Sequence, residues 1–308
     1  MALPTVYGPE ALFEGGAGSP HPDKPCVPRQ PEERPGASAQ LPGDSAAAFY
    51  VEGTLDIDRW FQVADADYRA VLDALDIDAL LPPAQALRLL DVGCGTGRFP
   101  AMLRARLTGR SEAIEYDFVD PAPHCLRLMR ESLAYPYQAG RGLPLRAQDL
   151  DACETGRYDV VWAIHSLYYV AAAAVPDVVR NLRRLLAPET GVGLIYIASR
   201  DSFYLQIHEA YRQVFATSVE PFLSAEHYAD AFAALVVPHQ QKRLRYFHEI
   251  PVEDHALLES YLHKCVLDPA QPLFAWWRHA PLRELIEGYR DGEVYRFPQE
   301  AALFQFGA

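Results

Sequence analysis

Basic residues are scarce in this 308-residue chain: 28 Lys and Arg stand against 41 Asp and Glu, for a formal net charge of −13. Phosphate backbones are held by clustered cations, so no nucleic acid partner is expected. Nor does any apolar run approach the ~20 residues of a membrane span, and no membrane partner is expected. The opening residues, MALPTVYGPE, lack a basic patch followed by an apolar stretch, so no secretory signal is expected. Cysteines are few: Cys26, Cys94, Cys125, Cys153 and Cys265 are odd in number, scattered and never spaced as CxxC. That pattern excludes a zinc ribbon or a disulfide framework and fits a cytoplasmic location. The ten histidines show no ligand spacing, so no metal is expected. No internal repeat is present.

What the chain does have is apolar material: 50% of its residues are hydrophobic, enough for one large domain or one and a half. Residues 1–48 are rich in proline and glycine and read as a flexible or wrapping tail. Residues 49–82 carry apolar positions at helical spacing over Asp56–Leu75, with Asp58 as the expected N-cap, and read as a helical lid. Residues 83–200 alternate strand and helix, which implies a parallel sheet with helices on both faces. Strands are expected near 88–92, 114–119, 144–148, 158–163 and 192–198, and helices near 97–107, 122–132 and 175–186. Residues 201–308 read as a helical insertion, with strands at 242–250 and 302–306 pairing antiparallel to finish the sheet.

One stretch organises the core: Leu89 to Phe99, LLDVGCGTGRF. A buried strand ending in Asp91 runs into Gly93, Gly95 and Gly97, and a helix follows. Bare backbone at such a bend admits a ligand beside a helix start. A phosphate-cradling loop would need Gly-Lys-Ser/Thr, but Arg98 and Phe99 follow Gly97. A dinucleotide fingerprint would want its third glycine where Arg98 stands. The stretch instead resembles the GxGxG turn of class I S-adenosylmethionine-dependent methyltransferases. A glycine turn with no ligand stays open as the bland alternative.

The second strand, Tyr116-Asp117-Phe118-Val119-Asp120-Pro121, supports a nucleoside. Asp120 stands 23 residues beyond Gly97, where a carboxylate can accept from both ribose hydroxyls. Ligands of open parallel sheets lie beyond the carboxyl ends of the strands. By the resemblance, Pro121 flanks the ribose, the Gln148-Asp149-Leu150 loop holds the adenine amino group, and Ile164 and His165 face the reactive methyl.

The segment YDVVWAIHSLYYV narrows the likeness: it is similar to histamine N-methyltransferase and related small-molecule methyltransferases. In that family a polar side chain at the position of His165 touches substrate, and a Tyr-Tyr pair matching Tyr168 and Tyr169 follows. His165 departs from the usual amide. The resemblance further places an amine-binding acid near Asp67, with Tyr50 and Glu52 beside it, and an amide loosely matching Gln299. Asp65 and Asp67 are two apart and so lie on different helix faces. Trp276 and Trp277 can cage a cation or anchor the insertion.

The expectation is therefore a Rossmann-like, doubly wound, mostly parallel seven-stranded α/β sheet with an N-terminal lid and a helical insertion near the C-terminus. Its expected cofactor is S-adenosyl-L-methionine and its partner a small-molecule substrate. Two functions compete, N-methylation of an amine with Asp67 and His165 at the acceptor, and O-methylation of a phenol or carboxylate with His165 as base. A non-enzymatic scaffold on the same fold is the third.

Overall fold

The computed structural model describes residues 57–152, 155–215 and 220–308. The tail at 1–48 and the predicted site residues Tyr50 and Glu52 lie outside them. The first described element is α1 (Ile57–Ala74). Asp58, expected as its N-cap, instead falls inside the helix, which is already under way at Ile57. The short α2 (Ile77–Leu80) is capped by Asp76, which accepts from the Ala79 N–H at 3.1 Å.

The core then alternates as expected. It comprises β1 (Leu87–Val92), α3 (Arg98–Arg104), β2 (Ile114–Val119), α4 (Pro123–Ser132), β3 (Tyr137–Leu143), β4 (Val160–Ile164), α5 (Val175–Leu185) and β5 (Val192–Ala198). The C-terminal part holds α6 (Phe203–Phe215), α7 (Ala225–Ala234), β6 (His239–Pro251), α8 (His255–Val266), α9 (Leu273–Trp276), α10 (Ala280–Glu287), β7 (Arg290–Asp291) and β8 (Val294–Gly307). The sheet order is β3-β2-β1-β4-β5-β8-β6, with β7 beside β8. Strands β1 to β5 pair in parallel, whereas β8 is antiparallel to both β5 and β6. The expected class holds, with a two-residue eighth strand added to the seven.

Period-two alternation sorts the strands' side chains between two cores. Leu90, Val92, Val161 and Ile195 face one, under α5 and α7. Leu89, Tyr116, Trp162 and Leu194 face the other, with Phe99 and Leu103 of α3 and Met129 of α4. No helix among the described residues is long and apolar enough to cross a membrane.

Two boundaries differ from expectation, each for a physical reason. The third strand is β3 at 137–143, not 144–148. β3 is the outermost strand, so its face toward solvent is polar and carries no apolar run. The last strand begins at Val294, not near 302. β5 meets only the second half of β8, from Val192 opposite Gly307 to Ala198 opposite Ala301. Beyond Ala301, β8 continues along β6 out to Val294 opposite Pro251, with the short β7 on its other edge at Val294 and Tyr295. This overhang stands past the carboxyl end of β5, where ligands of such sheets bind.

Helix α1 lies against the overhang and against α8. Trp60 is 4% exposed and stacks on Tyr261 of α8, ring centres 5.5 Å apart and planes 17° from parallel. Trp60→Ala is expected to lower unfolding free energy by about 3–5 kcal/mol. Urea titration followed by far-ultraviolet circular dichroism measures it, and a loss under about 1 kcal/mol would mean that α1 does not depend on this stack.

Candidate active site

The glycine turn opens a cleft at the carboxyl ends of β1, β2 and β4. Gly93 must be glycine: at φ +72° its backbone passes so close to the β4 loop that a Cβ would sit 2.4 Å from the Ser166 Cβ. Ser166 fixes that approach by donating its hydroxyl to the Val92 carbonyl at 2.7 Å. Gly95 differs, since a Cβ there would meet nothing within 4 Å. Its backbone is bare toward the cleft and available to a ligand.

Asp120 lines the cleft, 8% exposed. Its carboxylate accepts from the Gly95 N–H at 3.0 Å and from the Ala122 N–H at 2.9 Å. Burial raises its pKa and these N–H groups partly restore it. Each carboxylate oxygen keeps acceptor capacity for a hydroxyl. Asp91, deeper in the same wall, accepts from the Tyr116 hydroxyl at 2.8 Å. Burial pushes its pKa up to about 7, against the pull of that hydrogen bond. Six aromatic side chains also line it: Trp60, Phe61, Tyr68, Phe99, Tyr169 and Tyr204.

A buried carboxylate stands behind the cleft. Asp67 is 2% exposed. It accepts from the Tyr246 hydroxyl, and from the Tyr196 hydroxyl at 3.4 Å. His248 Nε2 lies 3.1 Å and His165 Nε2 3.5 Å from its Oδ2. Burial alone would raise the Asp67 pKa, but the two imidazoles and the donors from His248 and Tyr246 outweigh it and bring it to about 2. Asp67 is therefore ionised at neutral pH.

Ionised Asp67 fixes the state of His165. Nε2 must carry the proton that faces the carboxylate, leaving Nδ1 as acceptor. The Tyr168 hydroxyl meets Nδ1 at 2.5 Å and accepts from the Ala198 N–H at 3.0 Å; with the ring proton on Nε2, it is the hydroxyl that donates to Nδ1. Both ring nitrogens are thus engaged inside the protein. Burial brings the His165 pKa down to about 4, against the pull of Asp67. The residue sits at φ +58°, a left-handed backbone uncommon outside glycine and frequent at functional sites. Its N–H holds the Tyr196 carbonyl at 2.9 Å, which keeps the ring aimed at the cleft wall.

A second chain of hydrogen bonds braces His248. Its Nδ1 lies 2.9 Å from the Tyr261 hydroxyl, which accepts from Gln299 Nε2 at 3.2 Å. Gln299 Oε1 in turn accepts from the Ser202 hydroxyl and the Tyr204 N–H.

Of the residues singled out in the sequence, Asp91, Gly93, Gly95, Asp120, Pro121, Gln148, Ile164, His165 and Tyr169 line one cleft. Others stand elsewhere. Gly97 caps α3, and a Cβ there would strike Ser132 and Met129, so its role is packing against α4. Asp149 turns to Arg146, whose Nε donates to it at 2.7 Å. Leu150 is fully buried in the core under α5. Tyr168 is buried behind His165 and reaches the cleft only through it. Trp276 is fully buried against Tyr211, ring centres 4.7 Å apart, and donates its indole N–H to the Gln271 carbonyl; it anchors the insertion. Trp277 packs half-buried against the same core and is not in the cleft wall. Gln299 is buried outside the cleft wall and is bonded to Tyr261, Ser202 and the Tyr204 backbone. Asp65, on the other face of α1, pairs with Arg98 at 2.8 Å.

Sequence reasoning missed His248, Tyr246, Tyr196, Trp60 and Lys264. Tyr246 and His248 do carry a signal, being two apart on one strand and so on one face. Nothing in the sequence tells that this face lies over α1. Among the described residues no three His, Cys, Asp or Glu side chains converge on a metal-sized site.

The two titrations separate in acid. His165 is depressed below its ordinary 6.5, so the stability it carries is complete above pH 6.5 and lost as pH falls toward 4. Asp67 is depressed below 3.8, so its contribution is complete above that and lost as pH falls toward 2. Each is worth about 2–3 kcal/mol. Urea midpoints from pH 7 to 2 should show both limbs, with His165→Gln removing the upper and Asp67→Asn the lower; unchanged profiles would refute the assignment.

Residues 90–192 match the family profile described as a methyltransferase domain. No curated protein matches the chain. Among solved structures, the chain is similar to the YcgJ protein of Bacillus subtilis, with a TM-score of 0.51 and 14% identity over 78% of this chain and 96% of that one. It is also similar to a SAM-dependent methyltransferase of Thermotoga maritima, a possible histamine N-methyltransferase, with a TM-score of 0.46 and 18% identity over 82% and 95% of the two chains. A geranyl diphosphate C-methyltransferase of Streptomyces coelicolor A3(2), solved with S-adenosyl-L-homocysteine, gives 0.44 and 18% over 78% and 75%. At these identities the likeness is one of fold.

Proposed function

We propose that this chain, whose residues 90–192 form a methyltransferase domain of the class I, S-adenosylmethionine-dependent fold, transfers a methyl group to the nitrogen of a small amine. The residues present fit that cofactor. Gly95 leaves open space beside bare backbone, and Asp120 keeps acceptor capacity for two ribose hydroxyls. Gln148, which faces the cleft where Asp149 does not, takes the adenine edge.

When bound, the cofactor supplies a methyl group already activated by a sulfonium. The chain's own contribution is alignment and exclusion of water, worth on the order of 7 kcal/mol in well-oriented cases. Aromatic rings around the cleft favour cationic groups through their faces. His165 presents an uncharged edge held in one orientation by Asp67 and Tyr168.

The observation that favours nitrogen over oxygen is the state of His165. A phenol must lose its proton on the way to transfer, which calls for a base with a free lone pair. His165 has none, because Tyr168 occupies Nδ1 and the proton on Nε2 faces Asp67. A neutral amine would bring its own lone pair to the methyl group that the cofactor would supply, so no residue need take a proton before transfer. Its surplus proton leaves to water afterwards.

Calorimetry with S-adenosylhomocysteine tests the cofactor site, and Asp120→Ala is expected to weaken binding at least roughly tenfold. No binding, or binding indifferent to Asp120, would favour a scaffold. For an amine acceptor, His165→Ala is expected to cost less than about tenfold and to recover at high pH; a loss of about 10²–10⁴ would identify a general base. Because Asp91 is neutral below about 7, affinity for the cationic cofactor should fall as pH drops from 8 to 6. A flat calorimetric profile there would show that Asp91 does not face the ligand's charge.

A further inference from the structure

Tyr68 stands seven residues after Phe61 on α1, and both line the cleft from one helix face. Its ring is held between two elements. It lies 5.8 Å from the Phe99 ring of α3, centre to centre, and stands edge-on to His165 at 6.5 Å, planes 78° apart. The hydroxyl at its tip makes no hydrogen bond among the described residues, and its oxygen is not sealed from the cleft. Ser166 in the same wall gives its hydroxyl to Val92, and Tyr168 behind the wall gives its own to His165. A tyrosine hydroxyl in such surroundings ordinarily finds a partner. Here the partner has to come from a ligand.

We propose that the Tyr68 oxygen receives a hydrogen bond from the acceptor nitrogen, so that the site takes primary and secondary amines and disfavours a nitrogen with no N–H to give. This rests on the amine-methyltransferase reading above. The charges that bear on the phenol are those of Asp67, Asp91 and Asp65, and that of Arg98, which is itself paired with Asp65. Their balance is negative, so the ligand group that suits this oxygen is an N–H donor and not a carboxylate. Burial, with these carboxylates beside it, holds the Tyr68 pKa above its ordinary value; the hydroxyl stays neutral and its oxygen keeps a lone pair for a donor. Two ligand groups are of that kind, the acceptor nitrogen and the ammonium of the cofactor. The placement of Tyr68 favours the first. It comes from α1, outside the 90–192 domain that carries the glycine turn, and its ring lies against His165 at the end of β4. An N–H held by a fixed oxygen also fixes the direction of the nitrogen's lone pair. A neutral primary or secondary amine has such an N–H, and a neutral tertiary amine has none.

Graded methylation of the ligand tests it. Phenethylamine, tryptamine and ethanolamine are each taken with their N-methyl, N,N-dimethyl and N,N,N-trimethyl derivatives. Enzyme loaded with S-adenosylhomocysteine is titrated with every member by calorimetry at neutral pH, where only the trimethyl ammonium lacks an N–H. In the series that binds, the trimethyl member is expected to be weaker than the dimethyl one by roughly tenfold or more. Aromatic faces alone would favour the trimethyl cation, so this order runs against them. Turnover with S-adenosylmethionine, followed by release of the demethylated cofactor, is expected for the primary and secondary members and to drop at least about tenfold for the dimethyl one. Tyr68→Phe keeps the ring contacts and removes only the oxygen. It should close the binding gap by weakening the N–H-bearing members, with S-adenosylhomocysteine affinity unchanged within about twofold. A gap closed by tighter trimethyl binding would make the hydroxyl a steric stop, and weakened S-adenosylhomocysteine would assign it to the cofactor. Either result overturns the proposal, as does a gap that is absent or that survives Tyr68→Phe. Amine turnover indifferent to Tyr68 leaves the proposed function standing. S-adenosylhomocysteine binding with no amine bound or methylated removes both.

Discussion

A single buried carboxylate holds the architecture of the site together. Asp67 comes from α1, His165 from the end of β4, Tyr196 from β5, and Tyr246 and His248 from the overhanging part of β6. Four elements far apart in sequence therefore meet at one pair of oxygens. A buried carboxylate is tolerated only where its hydrogen-bonding capacity is met. Removing any donor leaves charge in a dry place, so the elements are obliged to stay in register with one another. The position of α1 over the cleft follows from this constraint as much as from its apolar face.

The same carboxylate decides the chemistry that His165 can do. An ionised neighbour on one side and a phenol on the other leave a neutral imidazole with neither a proton to give away cheaply nor a lone pair to use. Its left-handed backbone and its fixed ring read as devices for shape. On the proposed function, the site orients its ligands with aromatic faces and a few committed polar groups, and the cofactor would supply the driving force. His248 lies behind and is braced through Tyr261 and Gln299, so the bracing reaches α6 and α8 as well.

The C-terminal part contributes more than closure of the sheet. Because β8 outruns β5, the β6–β8 pair projects beyond the strand ends and brings Tyr246, His248 and Gln299 to the level of the cleft. Helix α8 packs against α1 from the other side and delivers Lys264. Trp276 secures this part from within its own core, at a distance from the cleft. The cofactor end of the molecule and the wall that would meet the acceptor are consequently made by separate stretches of chain, joined through α1.

By itself, the sequence determined the sheet's class, the glycine turn and the acid at 120, because each depends on local rules: apolar alternation, the freedom of glycine, and a separation set by one strand–helix–strand unit. It could also place His165, since a residue at a strand's carboxyl end is aimed by that strand. It could not place β3, whose edge position removes the apolar signal, or the start of β8, whose overhang is defined by a partner strand rather than by its own residues. Only the tertiary structure decided that Asp67 is met by two tyrosine hydroxyls and two imidazoles, that Tyr168 and Gln299 stand one hydrogen bond behind the cleft wall, that Trp276 is core, and that Lys264 lines the cleft. Those are contacts between elements distant in the chain, and burial, which sets their charges, is a property of the packed whole.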